Sequence, residues 1–350
     1  MFVALRDLRA ARGRFLLITT VVLLVAVLVS FLSGLTAGLA HQNISAVQGL
    51  RADRVVFADT GAAPSFDSSV LTEEQLAQWR AVNGIEVTPI GISRARAEHA
   101  GGSPGQVAVF GGDPSAFSNR PATAPGAVVL SVGAARELAA DTGDTVVLAG
   151  REFTVADVAG DEWYSHTPVL WTSMSDWQAV SPRAGAATVL AVLGYDPRDN
   201  LDAEAGTHTV AARDAVAAIG SYQAENSSLT LMTVLLFAIS ALVIGAFFTV
   251  WTVQRQPDIA TLKALGATSG SLVLDALAQA AIVLVTGVAA GLGITATAAL
   301  FIGDAMPFVL SLSTTLLPAL ALIVLGLAGA AVALRFLFTT DPLTALGATR

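Results

Sequence analysis

Four long apolar runs, Phe15 to Ala40, Leu229 to Val253, Leu272 to Ile302 and Met306 to Leu334, leave one large polar stretch between the first and the second. A helix needs about 20 residues, at about 1.5 Å rise each, to cross a hydrocarbon core roughly 30 Å thick, and every run is long enough. Asp275 is the only charged residue within them. Lipid offers no partner for backbone N–H and C=O groups, so such runs must be helices. Within the polar stretch the pattern changes to short strand-like runs, among them Arg54 to Asp59, Val87 to Arg96, Gln106 to Phe110, Thr145 to Leu148 and Thr188 to Leu193, punctuated by glycine and proline. Helical patterns cover Thr72 to Val82, with Thr72 as N-cap, then Gly133 to Ala140 and Ala203 to Glu225.

Charge sets the orientation. Between His41 and Ser228 there are 22 acidic and 11 basic residues, whereas the whole chain carries −8, so the remainder is net positive. Arg6, Arg9, Arg12 and Arg14 precede the first span, Arg255 and Lys263 lie between the second and third, and Arg335 and Arg350 follow the fourth. Positive charge is retained inside, which places these segments in the cytoplasm and the acidic domain outside. The fold class expected is a polytopic α-helical membrane protein, with four transmembrane helices and a mixed α/β extracytoplasmic domain between spans 1 and 2. Its expected divisions are an amphipathic cytoplasmic helix at 1–14, spans at 15–40, 229–253, 271–303 and 309–335, and the external domain at 41–228. A cytoplasmic connection at 254–270, an external loop at 304–308 and a cytoplasmic tail at 336–350 complete them. Both termini are then cytoplasmic in a multi-pass protein of the cell membrane.

Composition agrees, with 54% hydrophobic and 13% charged residues. A cleaved secretory leader is disfavoured, because the first apolar run far exceeds the usual h-region of about 7 to 15 residues. Cysteine is absent. The only lysine, Lys263, follows Leu262 rather than the glycine of a phosphate-binding loop, so the chain is expected to be a non-catalytic subunit that binds no ATP itself. His41, His99, His166 and His208 show no metal-binding spacing, there is no nucleophile elbow, and an acidic external domain disfavours nucleic acid.

Gln254 to Thr268 is the most specific stretch. Pro257 suits the first helical position, Asp258 complements the positive helix start, and Gly266 suits a left-handed C-terminal closure. Ile259, Leu262 and Leu265 then form an apolar ridge on a short helix that asks for a protein partner. Arg255, Asp258, Ile259, Ala260, Leu262, Lys263, Ala264, Leu265, Gly266 and Ala267 resemble the coupling helix of the MacB- and FtsX-like permeases of ABC transporters. The tail Asp341 to Leu346 and the segment Gly143 to Val158 are similar to that family's cytoplasmic tail and to a β-hairpin of its external domains. The resemblance implies a homodimer docked on two copies of a separate ABC ATPase subunit, with Arg255, Asp258, Ile259, Leu262, Lys263, Leu265 and Gly266 coupling the two. Gly34 with Gly38, and Gly287 with Gly291, are G-x-x-x-G pairs that allow close helix approach, and the first and second spans are expected to meet across the dimer axis.

The start Met1-Phe-Val-Ala-Leu-Arg-Asp-Leu and the stretch Trp163 to Pro168 resemble the permeases of Gram-positive haem exporters. That resemblance implies haem as transported substrate rather than intrinsic cofactor, taken from the outer part of the membrane. Tyr222, Glu225, Leu229 and Met232 recur on one stripe running from water into lipid, and haem iron accepts oxygen, nitrogen and thioether ligands. Glu225 is the candidate iron ligand. Tyr222, Met232, Phe31 as a stacking ring, His41, and Tyr164 with His166 on an external surface loop are the further haem-binding candidates. The alternatives are export of a peptide, lipid or antibiotic, or FtsX-like signalling to an external protein; no sustained heptads supply a tall external conduit.

Overall fold

The computed structural model describes residues 12–99, 104–117, 123–183, 185–195, 201–254, 261–263, 265–303 and 306–334. Two compact units emerge, one of Leu39–Ser227 and one of Met1–Gly38 with Ser228–Arg350. The elements follow in chain order as α1 (Arg12–Gln48), β1 (Arg54–Ala58), α2 (Glu73–Arg80), β2 (Glu86–His99), β3 (Gly105–Gly112), β4 (Ala127–Leu130) and α3 (Val132–Leu138). Next come β5 (Thr145–Leu148), β6 (Arg151–Val158), β7 (Trp163–Tyr164), β8 (Thr167–Thr172), α4 (Met174–Val180), β9 (Val189–Leu193), α5 (Leu201–Ala205) and β10 (Thr207–Ala211). The long helices α6 (Gly220–Gln254), α7 (Ser269–Ile302) and α8 (Leu312–Leu334) complete the described chain.

The external unit is built on one mixed sheet ordered β10-β1-β9-β2-β3-β8-β4-β6-β5. The far end of β2 also pairs with β5, Ala97 opposite Leu148, so six strands close a ring of pairings from β2 through β3, β8, β4, β6 and β5. Strand side chains alternate with period two, and β3 uses both faces: Val107 and Val109 enter one core, Ala108 and Phe110 another. Gly91 and Gly111 lie opposite each other in the β2–β3 ladder because the Trp177 ring of α4 lies across both. A methyl group on Gly91 would come within 2.1 Å of that ring, and one on Gly111 within 2.2 Å of Trp177 Cβ and 2.8 Å of the ring. The α2 start is set by a reciprocal box in which Gln75 N donates to Thr72 Oγ1 at 3.2 Å and Thr72 N donates to Gln75 Oε1 at 3.0 Å.

One expected helix breaks up. The pattern predicts one helix over Ala203 to Glu225, but α5 stops at Ala205, Gly206 takes φ +62°, and Thr207–Ala211 forms the edge strand β10 against β1. Asp202 directs the change by accepting from Thr207 Oγ1, Thr209 Oγ1 and Thr209 N, which outweighs the helical propensity of this alanine-rich segment.

The other unit holds the apolar parts of the four long helices, each long and apolar enough to span a membrane. Helix α1 runs beyond its apolar run to Gln48, and α6 begins at Gly220, ahead of Leu229, so both carry polar turns outside their apolar segments. Within the unit, small residues fix the packing. A methyl group on Gly287 would meet Val22 at 2.7 Å, and one on Gly291 would meet Ala26 Cβ at 2.7 Å and the Leu23 carbonyl at 2.9 Å, so α7 lies on α1 backbone to backbone. Gly326 of α8 receives the Leu284 side chain of α7, and Gly329 meets Gly245 of α6. Gly34 and Gly38 are covered by Phe308 and the Pro307 backbone, with Val309 N donating to the Gly34 carbonyl at 3.1 Å. Both G-x-x-x-G pairs are therefore occupied within one chain. The close helix approach expected at these pairs is thus made inside the chain, by Val22 and Ala26 at Gly287 and Gly291 and by the 307–308 segment at Gly34 and Gly38.

Candidate functional site

A polar cluster in the external unit joins the last turns of α1, the β7–β8 hairpin and the first turns of α6. The hairpin Trp163 to Pro168 has a two-residue loop, Ser165-His166, between the paired Tyr164 and Thr167. Both loop residues are left-handed, at φ +51° and +60°. A twist-matched two-residue hairpin requires this, and asparagine-glycine usually supplies it. Serine and histidine meet the requirement at a steric cost, and the α1 end offsets it: Ser165 N donates to the Asn43 carbonyl and His166 N to the Gln42 carbonyl, each at 2.9 Å.

This turn presents His166 to Glu225. His166 Nε2 lies 2.9 Å and 3.0 Å from the two Glu225 carboxylate oxygens, and Asn43 Nδ2 donates to Glu225 Oε2 at 3.2 Å. With Nε2 as the donor toward the carboxylate, the 3.3 Å approach of Asn43 Nδ2 to the same ring nitrogen is a proximity without a proton. Asn43 is 1% exposed, and its side-chain Oδ1 accepts from Ser221 Oγ at 2.7 Å. Ser221 Oγ lies 2.8 Å from Ser165 Oγ, which accepts from Arg94 Nη2 at 2.9 Å. A chain of side chains thus runs from Glu225 through Asn43, Ser221 and Ser165 to Arg94. The His166 and Glu225 side chains remain 32% and 41% exposed, open to a ligand. A carboxylate has about four lone-pair positions, so Glu225 keeps acceptor capacity beyond these two donors.

The structure brings His166 to Glu225 and disposes the other candidates differently. His41, about two turns before the end of α1 at Gln48, donates from Nε2 to the Asp161 carbonyl, 2.7 Å away, and lies 3.3 Å from the Asp161 carboxylate. Tyr222 is half-buried and packs on the domain core. Met232 is exposed on α6, and the Phe31 ring rests on Phe308 with centroids 5.3 Å apart. Tyr164, expected on a surface loop, is instead 1% exposed in β7, edge-on to Phe66 and Phe110. It is corrected from exposed ligand to core residue because its strand position turns it inward while the following two residues form the loop. Burial, and next the nearby Asp67, raise its hydroxyl pKa above the usual tyrosine value, so it stays protonated. Asn43, Arg94, Ser165 and Ser221 were not singled out from sequence; a polar Asn directly after a long apolar helix was the one available signal.

On the connection between α6 and α7, Arg255, Asp258 and Ile259 lie outside the described residues, as do residues 1–11 and 335–350. Thr261–Lys263 is helical, and the turn closes with Ala267 N donating to the Leu262 carbonyl and Gly266 N to the Lys263 carbonyl, each at 3.0 Å. Gly266 takes φ +96°, the left-handed closure of a Schellman end. Leu262 and Leu265 are 38% and 79% exposed.

Residues 15–221, more than half of the chain, match the MacB-like periplasmic core domain, and residues 230–342 match the FtsX-like permease C-terminal domain. Among curated relatives, a Staphylococcus haemolyticus protein named "Putative hemin transport system permease protein HrtB" is 26% identical over 99% of both chains. An uncharacterized ABC transporter permease of Mycobacterium bovis is also 26% identical, over 99% of both. The crystal structure of the periplasmic region of MacB from Actinobacillus actinomycetemcomitans covers 48% of this chain and 92% of its own, at 16% identity and a TM-score of 0.37. With four apolar helices and a MacB-like extracytoplasmic domain between the first two, the chain belongs to the MacB and FtsX-like family of ABC transporter permeases.

Proposed function

We propose that this permease exports haem, collecting it at the external edge of the membrane on Glu225 and moving it with ATP hydrolysed by a separate subunit. The observation that carries the reading is the half-exposed Glu225 carboxylate, oriented by His166 and Asn43 from a strained turn. Metal ligands are commonly held by such hydrogen-bonded supports, which fix the ligand's direction and basicity. Glu225 is the iron ligand in this reading, and His166 and Asn43 are its positioning residues. It lies about one helical turn before the apolar run that starts at Leu229, a depth suited to a flat amphiphile. The names carried by full-length relatives favour haem among the possible cargoes.

Two copies of the permease form the pathway, because four helices enclose no conduit. The exposed apolar side of α6, with Leu231, Leu235, Ile239 and Leu242, is the surface available to lipid and to the second copy. Both termini and the Leu262–Leu265 turn face the cytoplasm, where the turn docks on the ATPase. Titrating the purified full-length chain with haem tests the cargo assignment. A shifted Soret band that is weakened in Glu225→Gln supports it, whereas identical spectra for the two proteins remove Glu225 as ligand.

A further inference from the structure

A second site lies where the polar chain from Glu225 ends. Arg94 Nη2 bonds Ser165 Oγ, its guanidinium carbon sits 5.8 Å from the centroid of the buried Tyr164 ring, and the Asp67 carboxylate is 3.7 Å away. These groups border a cavity of about 180 Å³ whose lining also includes Phe66, Ser93 and Arg183. Arg183 Nη1 is bound to the Asp67 backbone carbonyl, so this guanidinium braces the cavity wall without neutralising the Asp67 charge. Two guanidinium groups face one carboxylate, leaving the lining cationic in a domain that is otherwise acidic. The Tyr164 phenol adds a neutral O–H and the Phe66 ring an apolar wall. Arginine carries five N–H donors in a planar fork, more than the partners Arg94 has, and that fork matches a carboxylate. The cavity admits a short carboxylate arm and is too small for a tetrapyrrole ring.

We propose that Arg94, with Arg183 across the cavity, is a carboxylate-binding subsite that holds an acidic arm of the cargo while the cargo's metal sits at Glu225. This rests on the haem reading above and extends it: the substrate class becomes a metalloporphyrin with free carboxylate arms. The connection is physical, since Glu225, Asn43, Ser221, Ser165 and Arg94 are linked by successive contacts of 2.7 to 3.2 Å. An arm paired at Arg94 pulls on Ser165, and through it on the strained turn that carries His166.

The test is an absorbance titration of the full-length permease in detergent with two probes, haem and haem dimethyl ester, whose arms carry no charge. Wild type is expected to bind haem more tightly than the ester by about tenfold, the scale of one charge-assisted hydrogen bond. In Arg94→Gln that preference disappears through loss of haem affinity alone, and in Arg183→Gln it shrinks. Equal affinities of wild type for the two probes overturn the subsite while leaving the cargo reading intact, and so does an undiminished preference in Arg94→Gln. Should Arg94→Gln fail to fold, the wild-type comparison and Arg183→Gln decide the matter. No spectral change with either probe overturns the cargo reading, and the subsite with it.

Discussion

Single residues reveal where local preference was overruled. His166 at φ +60° is the clearest case, because a side chain there costs about 1 to 2 kcal/mol that glycine would not. His166→Gly is therefore expected to leave stability within about 1 kcal/mol, relief of strain offsetting the lost Glu225 bond. His166→Val, β-branched at positive φ, should lower it by about 2 kcal/mol or more, and thermal unfolding of the purified chain distinguishes the two. Tyr164 makes a pH prediction. Its folded pKa is raised, so the stabilisation from its buried neutral ring is complete below the unfolded value near 10 and declines as pH rises beyond it. Tyr164→Phe should flatten that alkaline loss, which tyrosinate absorbance and unfolding curves would record; an unchanged slope would remove Tyr164 as its source. Glu225 and His166 were both legible as candidates from residue type and position. Their pairing was not, because 59 residues separate them and only the hairpin turn joins them.

At the scale of elements, the alternation of apolar positions placed most strands correctly: Thr145 to Leu148 is β5 as read, and Thr72 caps its helix through Gln75. The failure lay at Ala203 to Glu225, where Asp202 and Gly206 redirect an alanine-rich segment into the edge strand β10. Gly91 and Gly111 show the reverse dependence, their lack of side chains being explained only by the Trp177 ring above them. Gly111→Ala is expected to destabilise the external domain by about 1 to 3 kcal/mol through overpacking, measurable as a lower unfolding midpoint. On the α6–α7 connection, the Schellman closure at Gly266 fixes the direction of the exposed Leu262 and Leu265. Replacing both with Asp should abolish copurification of an ATPase subunit while the permease still inserts; a complex that survives would place the docking surface elsewhere.

For the whole molecule, the helix-packing glycines decide what a single chain satisfies by itself. Gly291 brings α7 onto the α1 backbone, so Gly291→Leu should separate the two helices and reduce the yield of folded, monodisperse protein in detergent. The proposed contact between copies draws on the exposed apolar side of α6, the second span, where Leu231, Leu235, Ile239 and Leu242 have no cover among the described residues. What the sequence alone determined was the membrane class, the four spans and the polar domain between them. Those follow from the solubility of each segment, a property that adds along the chain. Alternation and glycine spacing likewise set most local elements, since they act over a few residues. Tertiary structure alone decided which face of Trp163 to Pro168 is buried, which glycines are already occupied, and that Asn43, His166, Arg94 and Glu225 share one network. Those outcomes depend on contacts between residues far apart in the chain, where the energy lies in complementary packing and paired donors, and no local pattern encodes that.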